Sequence, residues 1–247
     1  VKDSSLLLEP GREPFEGKIS LLAESTRNQV RIKRFSISGP EIIVKAKGDL
    51  TNLTNPEGTL QISYKAEMDA LSGILKIPFS WTGRTEGEGE LALSQKQIVY
   101  RSSFNSDNLV FNKIPWQTVR GQVEYSPKSG VKVALNVLPP SGSPEFIKIS
   151  SGAGRTDGEL QGFHLDPILA QFSMPWPVLS PIWGNFSVDD KQLVSDFEFR
   201  DDAFVTLPGK YPFRGPVHFT WDKKREIGFS SPRLETAFGT IELNGNV

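Results

Sequence analysis

Val131-Lys132-Val133-Ala134-Leu135-Asn136-Val137 carries an aliphatic residue at every odd position and a polar one at two of the three positions between. Successive side chains of an extended chain point to opposite faces, so this stretch reads as a strand with one apolar and one wet face. The same alternation recurs at Ile42/Val44/Ala46, Leu60/Ile62/Tyr64, Ile77/Phe79/Trp81, Leu91/Leu93 and Ile98/Tyr100. It continues at Phe197/Phe199, Val217/Phe219/Trp221, Ile227/Phe229 and Ile241/Leu243. Period 2 along most of the chain predicts an all-β protein.

Turn chemistry separates these runs: Ser38-Gly39-Pro40, Asn55-Pro56-Glu57-Gly58, Ser126-Pro127-Lys128-Ser129-Gly130, Pro208-Gly209-Lys210 and Trp221-Asp222-Lys223-Lys224. Consecutive strands should therefore pair as antiparallel hairpins. At roughly 12 to 15 residues per strand and turn, the chain would supply about 16 to 20 strands, against about 4 to 6 in an ordinary sheet. One short helix is expected near 166–174: Asp166 caps, Pro167 suits the first helical position, and Ile168, Leu169 and Phe172 share a side. Residues 1–247 read as a single segment, with a sub-boundary or a long hairpin loop at the Pro- and Ser-rich stretch near 138–145.

Composition narrows the chemistry. Among 247 residues, 28 Lys and Arg face 29 Asp and Glu, a net charge of -1 that lacks the basic footprint of a nucleic-acid binder. Cysteine is absent, which excludes disulfide frameworks, thiolate nucleophiles and cysteine-ligated metals. His164 and His218 are too few for a polyhistidine metal site. No run approaches the roughly 20 apolar residues that a spanning helix needs. The chain opens at Val1 without an initiator Met or a signal-peptide pattern and stops at Val247 after a strand-like run, so it is read as a segment of a longer protein.

Features that invite an enzymatic reading have plainer explanations. Glu86, Glu88 and Glu90 resemble a cation-binding cluster, but residues two apart on a strand share a face; they read as a solvated stripe, with Gly87, Gly89, Leu91 and Leu93 opposite. Ser151-Gly152-Ala153-Gly154-Arg155 lacks the Gly-Lys-Ser/Thr that a phosphate loop requires. Asp189-Asp190 and Asp201-Asp202 sit where acidic residues end strands. His164 and His218 read as surface or edge residues. Trp81 and Trp221 continue apolar faces, whereas Trp116, Trp176 and Trp183 adjoin prolines in what reads as irregular chain, so no sugar-stacking platform is implied. No catalytic residue, metal or cofactor is expected.

A long antiparallel sheet with one apolar face must hide that face or use it. Closed, it is a sandwich; open, it is an apolar trough suited to acyl chains. Three phrases resemble the strand-and-glycine pattern of the AsmA-like superfamily, TamB-type members in particular. They are Phe35-Ser-Ile-Ser-Gly-Pro-Glu-Ile-Ile-Val-Lys-Ala-Lys-Gly-Asp-Leu50, Leu109-Val-Phe-Asn-Lys-Ile-Pro-Trp-Gln-Thr-Val-Arg-Gly121 and Leu234-Glu-Thr-Ala-Phe-Gly-Thr-Ile-Glu-Leu-Asn-Gly245. Phe163-His-Leu-Asp-Pro-Ile-Leu-Ala-Gln-Phe172, followed by Leu179-Ser-Pro-Ile-Trp-Gly-Asn-Phe-Ser-Val188, is similar to that family's short apolar helix leading into a glycine-containing strand.

The resemblance implies a periplasmic β-taco, a long antiparallel sheet folded into an open groove, anchored to the inner membrane by a segment outside this chain. It implies a bridge-like transfer of phospholipid across the cell envelope and, through other segments, contact with an outer-membrane barrel of the assembly-factor type. Its partners would be phospholipid acyl chains. The groove would be lined by Ile42, Val44, Ile62, Tyr64, Ile77, Phe79, Trp81, Leu91, Leu93, Ile98, Tyr100, Val131, Val133, Leu135, Val137, Ile168, Leu169, Phe172, Val217, Phe219, Trp221, Ile227, Phe229, Ile241 and Leu243. About 16 strands at roughly 4.8 Å would give it about 75 Å of length. The competing reading is a closed β-sandwich or jelly-roll module that binds a polysaccharide or a protein.

Overall fold

The computed structural model describes residues 3–6, 15–52, 54–70, 81–94, 97–111, 114–139, 143–164, 178–179, 181–200, 204–205, 211–222, 227–236 and 238–246. The chain divides into two compact units, Val1–Lys128 and Ser129–Val247. The first holds β1 (Asp3–Leu6), β2 (Phe15–Ser25), β3 (Gln29–Ser38), β4 (Ile42–Thr51), β5 (Glu57–Glu67), β6 (Trp81–Ser94), β7 (Gln97–Phe111) and β8 (Ile114–Ser126). Each is antiparallel to the next.

The second unit holds β9 (Gly130–Leu138), β10 (Glu145–Gly152), β11 (Arg155–His164), β12 (Val178–Leu179), β13 (Pro181–Val188), β14 (Gln192–Phe199), β15 (Phe204–Val205), β16 (Tyr211–Asp222), β17 (Ile227–Thr236) and β18 (Gly239–Asn246). Its main ladder runs β9, β10, β11, β13, β14, β16, β17, β18, all antiparallel. The short β12 and β15 form a side ladder onto β16. Among the described residues no pairing joins β1 to β8 or β9 to β18, so both ladders are open.

The antiparallel all-β class predicted from the alternation is therefore the fold, and its ladders are open, as the resemblance implied. The helix expected near 166–174 lies outside the described residues. The described helical residues are 68–70, directly after β5, where no helix was expected. Strands on both sides of the stretch 138–145 pair with each other, Val137 opposite Glu145, so that stretch is a connection within the second unit.

Strict alternation would carry a long strand's apolar residues onto the wrong face wherever the sequence slips by one, and bulges absorb the slip. In β3, Val30 and Ile32 are out of phase with Phe35 and Ile37. The register on β4 shifts between Ile32 and Phe35, with Lys33 and Arg34 taking up the extra residue. In β7 the register on β6 shifts after Asp107, at Asn108, whose φ is 55°. In β11 it shifts between Leu160 and Phe163, where Gly162 has φ 65°. A further shift lies between Ser231 and Leu234 of β17. Each device returns the following hydrophobic residues to the face used by those before it.

Turns explain the motifs that resembled sites. Ala153 and Gly154 are the central residues of the β10–β11 hairpin, both at positive φ (53° and 78°), which is a tight turn and no phosphate cradle. At the β13–β14 turn the Asp189 carboxylate accepts the backbone N–H groups of Lys191 (2.7 Å) and Gln192 (2.9 Å). Those bonds hold its pKa below the ordinary aspartate value. Asp201-Asp202 lies outside the described residues.

Candidate apolar groove

Residues directly opposite in a ladder share a face, so register assembles the rows of each unit. In the first unit Ile42, Ala66, Thr85, Ser106 and Val119 form one row across β4 to β8. Every one of them is buried. Two residues along each strand comes Val44, Tyr64, Gly87, Phe104 and Gly121; then Ala46, Ile62, Gly89, Ser102 and Val123. Leu60, Leu91, Tyr100 and Tyr125 follow, and last Leu50, Gly58, Leu93 and Ile98.

Burial falls from the first row of this series to the last, with Ser102 an exception in the third. The middle rows are mostly half-buried, Tyr125 is 41% exposed and Ile98 46%. In β4 Val44, Ala46, Gly48 and Leu50, which share the face of Ile42, are half-buried, while Ile43 and the polar residues on the other face are exposed. A closed sandwich would bury such positions throughout. This face is covered at one end and open at the other.

The second unit repeats the arrangement. Val137 and Glu145, both buried, stand at one end. Leu135, Ile147, Leu160, Gly184, Phe197 and Val217 form the next row. After it comes Val133, Ile149, Gly158, Phe186, Ser195, Phe219, Phe229 and Gly245. The open end is Val131, Ser151, Thr156, Val188, Leu193 and Trp221, with Ile227 opposite Trp221 in the register. Val131 is 38% and Trp221 43% exposed. Leu243 pairs with Ser231 and Ile241 with Leu234.

The expected lining residues that are described thus fall on these two apolar faces, each within its own unit. Trp81 belongs with Phe111, its paired neighbour, and with Trp116, in an aromatic cluster whose ring centroids lie 4.6 to 6.3 Å apart. Ile77, Phe79, Ile168, Leu169 and Phe172 lie outside the described residues. Trp116 and Trp183 correct the sequence reading: both sit within strands, β8 and β13. Trp116 is buried. Trp183 carries the Arg200 guanidinium 4.4 Å from its ring centroid. Trp176 is outside the described residues.

Serines on a greasy face need an account, because a buried hydroxyl without a partner is costly. Ser106 donates to the Arg84 carbonyl at 2.7 Å, Ser102 to that of Glu88 at 3.0 Å, and Ser231 to that of Pro216 at 2.5 Å. Their hydroxyls are thereby turned into the backbone. Ser195 Oγ is buried and has no partner among the described residues.

Opposite the groove, the polar faces carry cross-strand pairs. Lys65 reaches Glu86 at 2.6 Å, Gln61 donates to Glu90 at 2.8 Å, and Arg101 meets Glu124 at 3.3 Å. Hydrogen bonding to Lys65 holds the Glu86 pKa below the ordinary glutamate value. The acidic stripe is thus part of a solvated lattice, and no group of three or more metal-ligating side chains forms among the described residues. His218 lies on this wet side of β16, Nδ1 2.7 Å from Asp196.

His164, read from sequence as a surface or edge residue, ends β11 in a part-buried contact. It is half-buried, with Nδ1 2.8 Å from the carboxylate of Glu145, which is only 5% exposed. Sequence reading missed this pair because 19 positions separate the residues and only the β10–β11 register brings the two strands together. Phe104, Phe186, Leu109 and Ile147 were missed for a related reason: what places them on the apolar face is pairing across strands. No family model and no curated protein matches this chain.

Proposed function

We propose that the chain is a segment of a periplasmic lipid-transfer bridge of the AsmA-like, TamB type, shielding phospholipid acyl chains between the inner and outer membranes. The carrying observation is the gradient of exposure across the apolar rows, from buried Ile42 and Val137 to the open Ile98 and Trp221. A continuous apolar surface that remains uncovered is a place for an apolar ligand.

Each methylene kept from water is worth about 0.8 kcal/mol, so an acyl chain laid on these rows gains several kcal/mol while its head group stays wet. No bond is made or broken, and no acid, base or nucleophile is called for. Eight strands, hence seven spacings of about 4.8 Å, give the first unit about 34 Å of such surface. Anchoring to the inner membrane and contact with an outer-membrane barrel belong, in this reading, to segments outside the chain.

Photo-crosslinking in cells tests it. A probe at Val133, on the apolar face, should capture phospholipid, and one at the adjacent Lys132, on the opposite face, should not. Absence of lipid at Val133 in a folded protein, with capture of a glycan or polypeptide instead, would replace this reading with the closed binding module.

A further inference from the structure

Several charges on the polar face of the first unit are paired by register. Lys65 stands opposite Glu86, Arg101 opposite Glu124 and Arg31 opposite Asp49. Lys45, however, lies between Ser36 and Ser63, and Lys47 lies opposite Gln61. Gln61 is itself turned toward Glu90. The bulge in β3 then brings Lys33 and Arg34 in succession to the neighbouring strand. Lys33 is bonded to Glu24, whereas Arg34, Lys45 and Lys47 have no carboxylate partner among the described residues.

Lys33, Arg34, Lys45 and Lys47 line one cleft of about 460 Å³ together with Gln61 and Ser63. Glu88, which is opposite Ser63 in the register, is the carboxylate at its margin. Uncompensated like charges on adjacent strands repel, and an anion bound among them relieves that repulsion while accepting charge-assisted hydrogen bonds. A phosphoryl group, with several acceptor oxygens and more than one charge, matches a cleft lined by Arg34, Lys45 and Lys47 beside the Ser63 hydroxyl.

We propose that this cleft binds a phosphoryl-bearing anion, with Arg34, Lys45 and Lys47 supplying the charge and Ser63 a neutral donor. The site lies on the face opposite the apolar rows and does not depend on lipid occupying them.

Inorganic pyrophosphate titrated into the full chain at low ionic strength, followed by backbone amide NMR, tests the assignment. Saturable shifts should cluster on β3, β4 and β5, and the double substitution Lys45→Gln/Lys47→Gln should weaken binding about tenfold. Glu88→Gln should tighten it, while Lys128→Gln/Lys132→Gln should change nothing. The substituted side chains are exposed, and the same spectra report whether each variant is folded. Two further arms separate the sources of the phosphoryl group. Displacement of pyrophosphate by phosphatidylglycerol vesicles, and not by phosphatidylcholine vesicles, assigns a lipid head group; displacement by neither assigns a soluble phosphate. Shifts that do not saturate, or that fall equally with Lys128→Gln/Lys132→Gln, would mean diffuse screening and would overturn the proposal.

Discussion

The phenol ring of Tyr64 lies over the backbone of Gly87, its directly paired neighbour, so closely that a β-carbon on Gly87 would sit 2.6 Å from the ring. Phe186 covers Gly158 and Phe229 covers Gly245 in the same way, each pair directly opposed. Bare backbone on an apolar face is thereby shielded by the aromatic beside it. Gly87→Ala meets both the Tyr64 ring and the Ser103 carbonyl oxygen at 2.6 Å, so movement of the ring alone cannot accommodate it. We expect a loss of about 1 to 3 kcal/mol, the range for overpacking, read as a lower urea midpoint with unchanged slope.

Tyr64 also makes a pH-dependent prediction. Burial disfavours its phenolate and raises its pKa above the ordinary 10.0, only partly offset by the hydrogen bond with Ser102 at 3.3 Å. In the unfolded chain the phenol ionises near its ordinary value, so the unfolded state loses its proton first. The contribution to stability is therefore complete below that value and is lost as pH rises toward the folded pKa. Absorbance titration at alkaline pH should show a late component, a phenol ionising above the ordinary value, and Tyr64→Phe should remove it. A late component that persists in Tyr64→Phe would refute the assignment.

The limit of what alternation reveals is visible in β7. Ile98 and Tyr100 announce a strand, and the same phase leads correctly through Ser102, Phe104 and Ser106. It then fails, because Leu109 and Phe111 follow at the opposite parity yet return to the partners of that same face, Trp116 and Trp81. The missing information is a one-residue bulge at Asn108, which a single strand's pattern cannot distinguish from the end of the strand. Strand class, hairpin order and the identity of the apolar faces were legible because they are local. The Glu145–His164 pair and the rows across strands were not, because they are products of register.

That bulge carries its own prediction. Asn108 adopts φ 55°, a region that asparagine and glycine tolerate and β-branched residues resist. Asn108→Gly should leave stability within a few tenths of a kcal/mol, while Asn108→Val should cost about 1 to 2 kcal/mol. Tryptophan fluorescence should report the difference, because Leu109 and Trp116 are directly paired just beyond the bulge. Equal stability of the two variants would show that the backbone there is free to choose another register.

Leu93 and Ile98 face each other at the open end of the first unit, where a charge can be added at least cost to the fold. Leu93 is half-buried and Ile98 is 46% exposed, so an arginine at 93 can extend its stem over the apolar face and keep its head in water. Circular dichroism of Leu93→Arg should remain that of the native sheet, with a stability loss of about 1 kcal/mol or less. A guanidinium at that position nevertheless interrupts the row that an acyl chain would follow, and a desolvated charge is far more costly to pass than a methylene. Lipid capture at Leu93's neighbours and lipid transfer by the full-length protein should therefore fall sharply. Glu90→Arg, on the opposite face, should leave both intact. Equal transfer by the two variants, with both folded, would dissociate the apolar rows from lipid movement and leave them as structural surface.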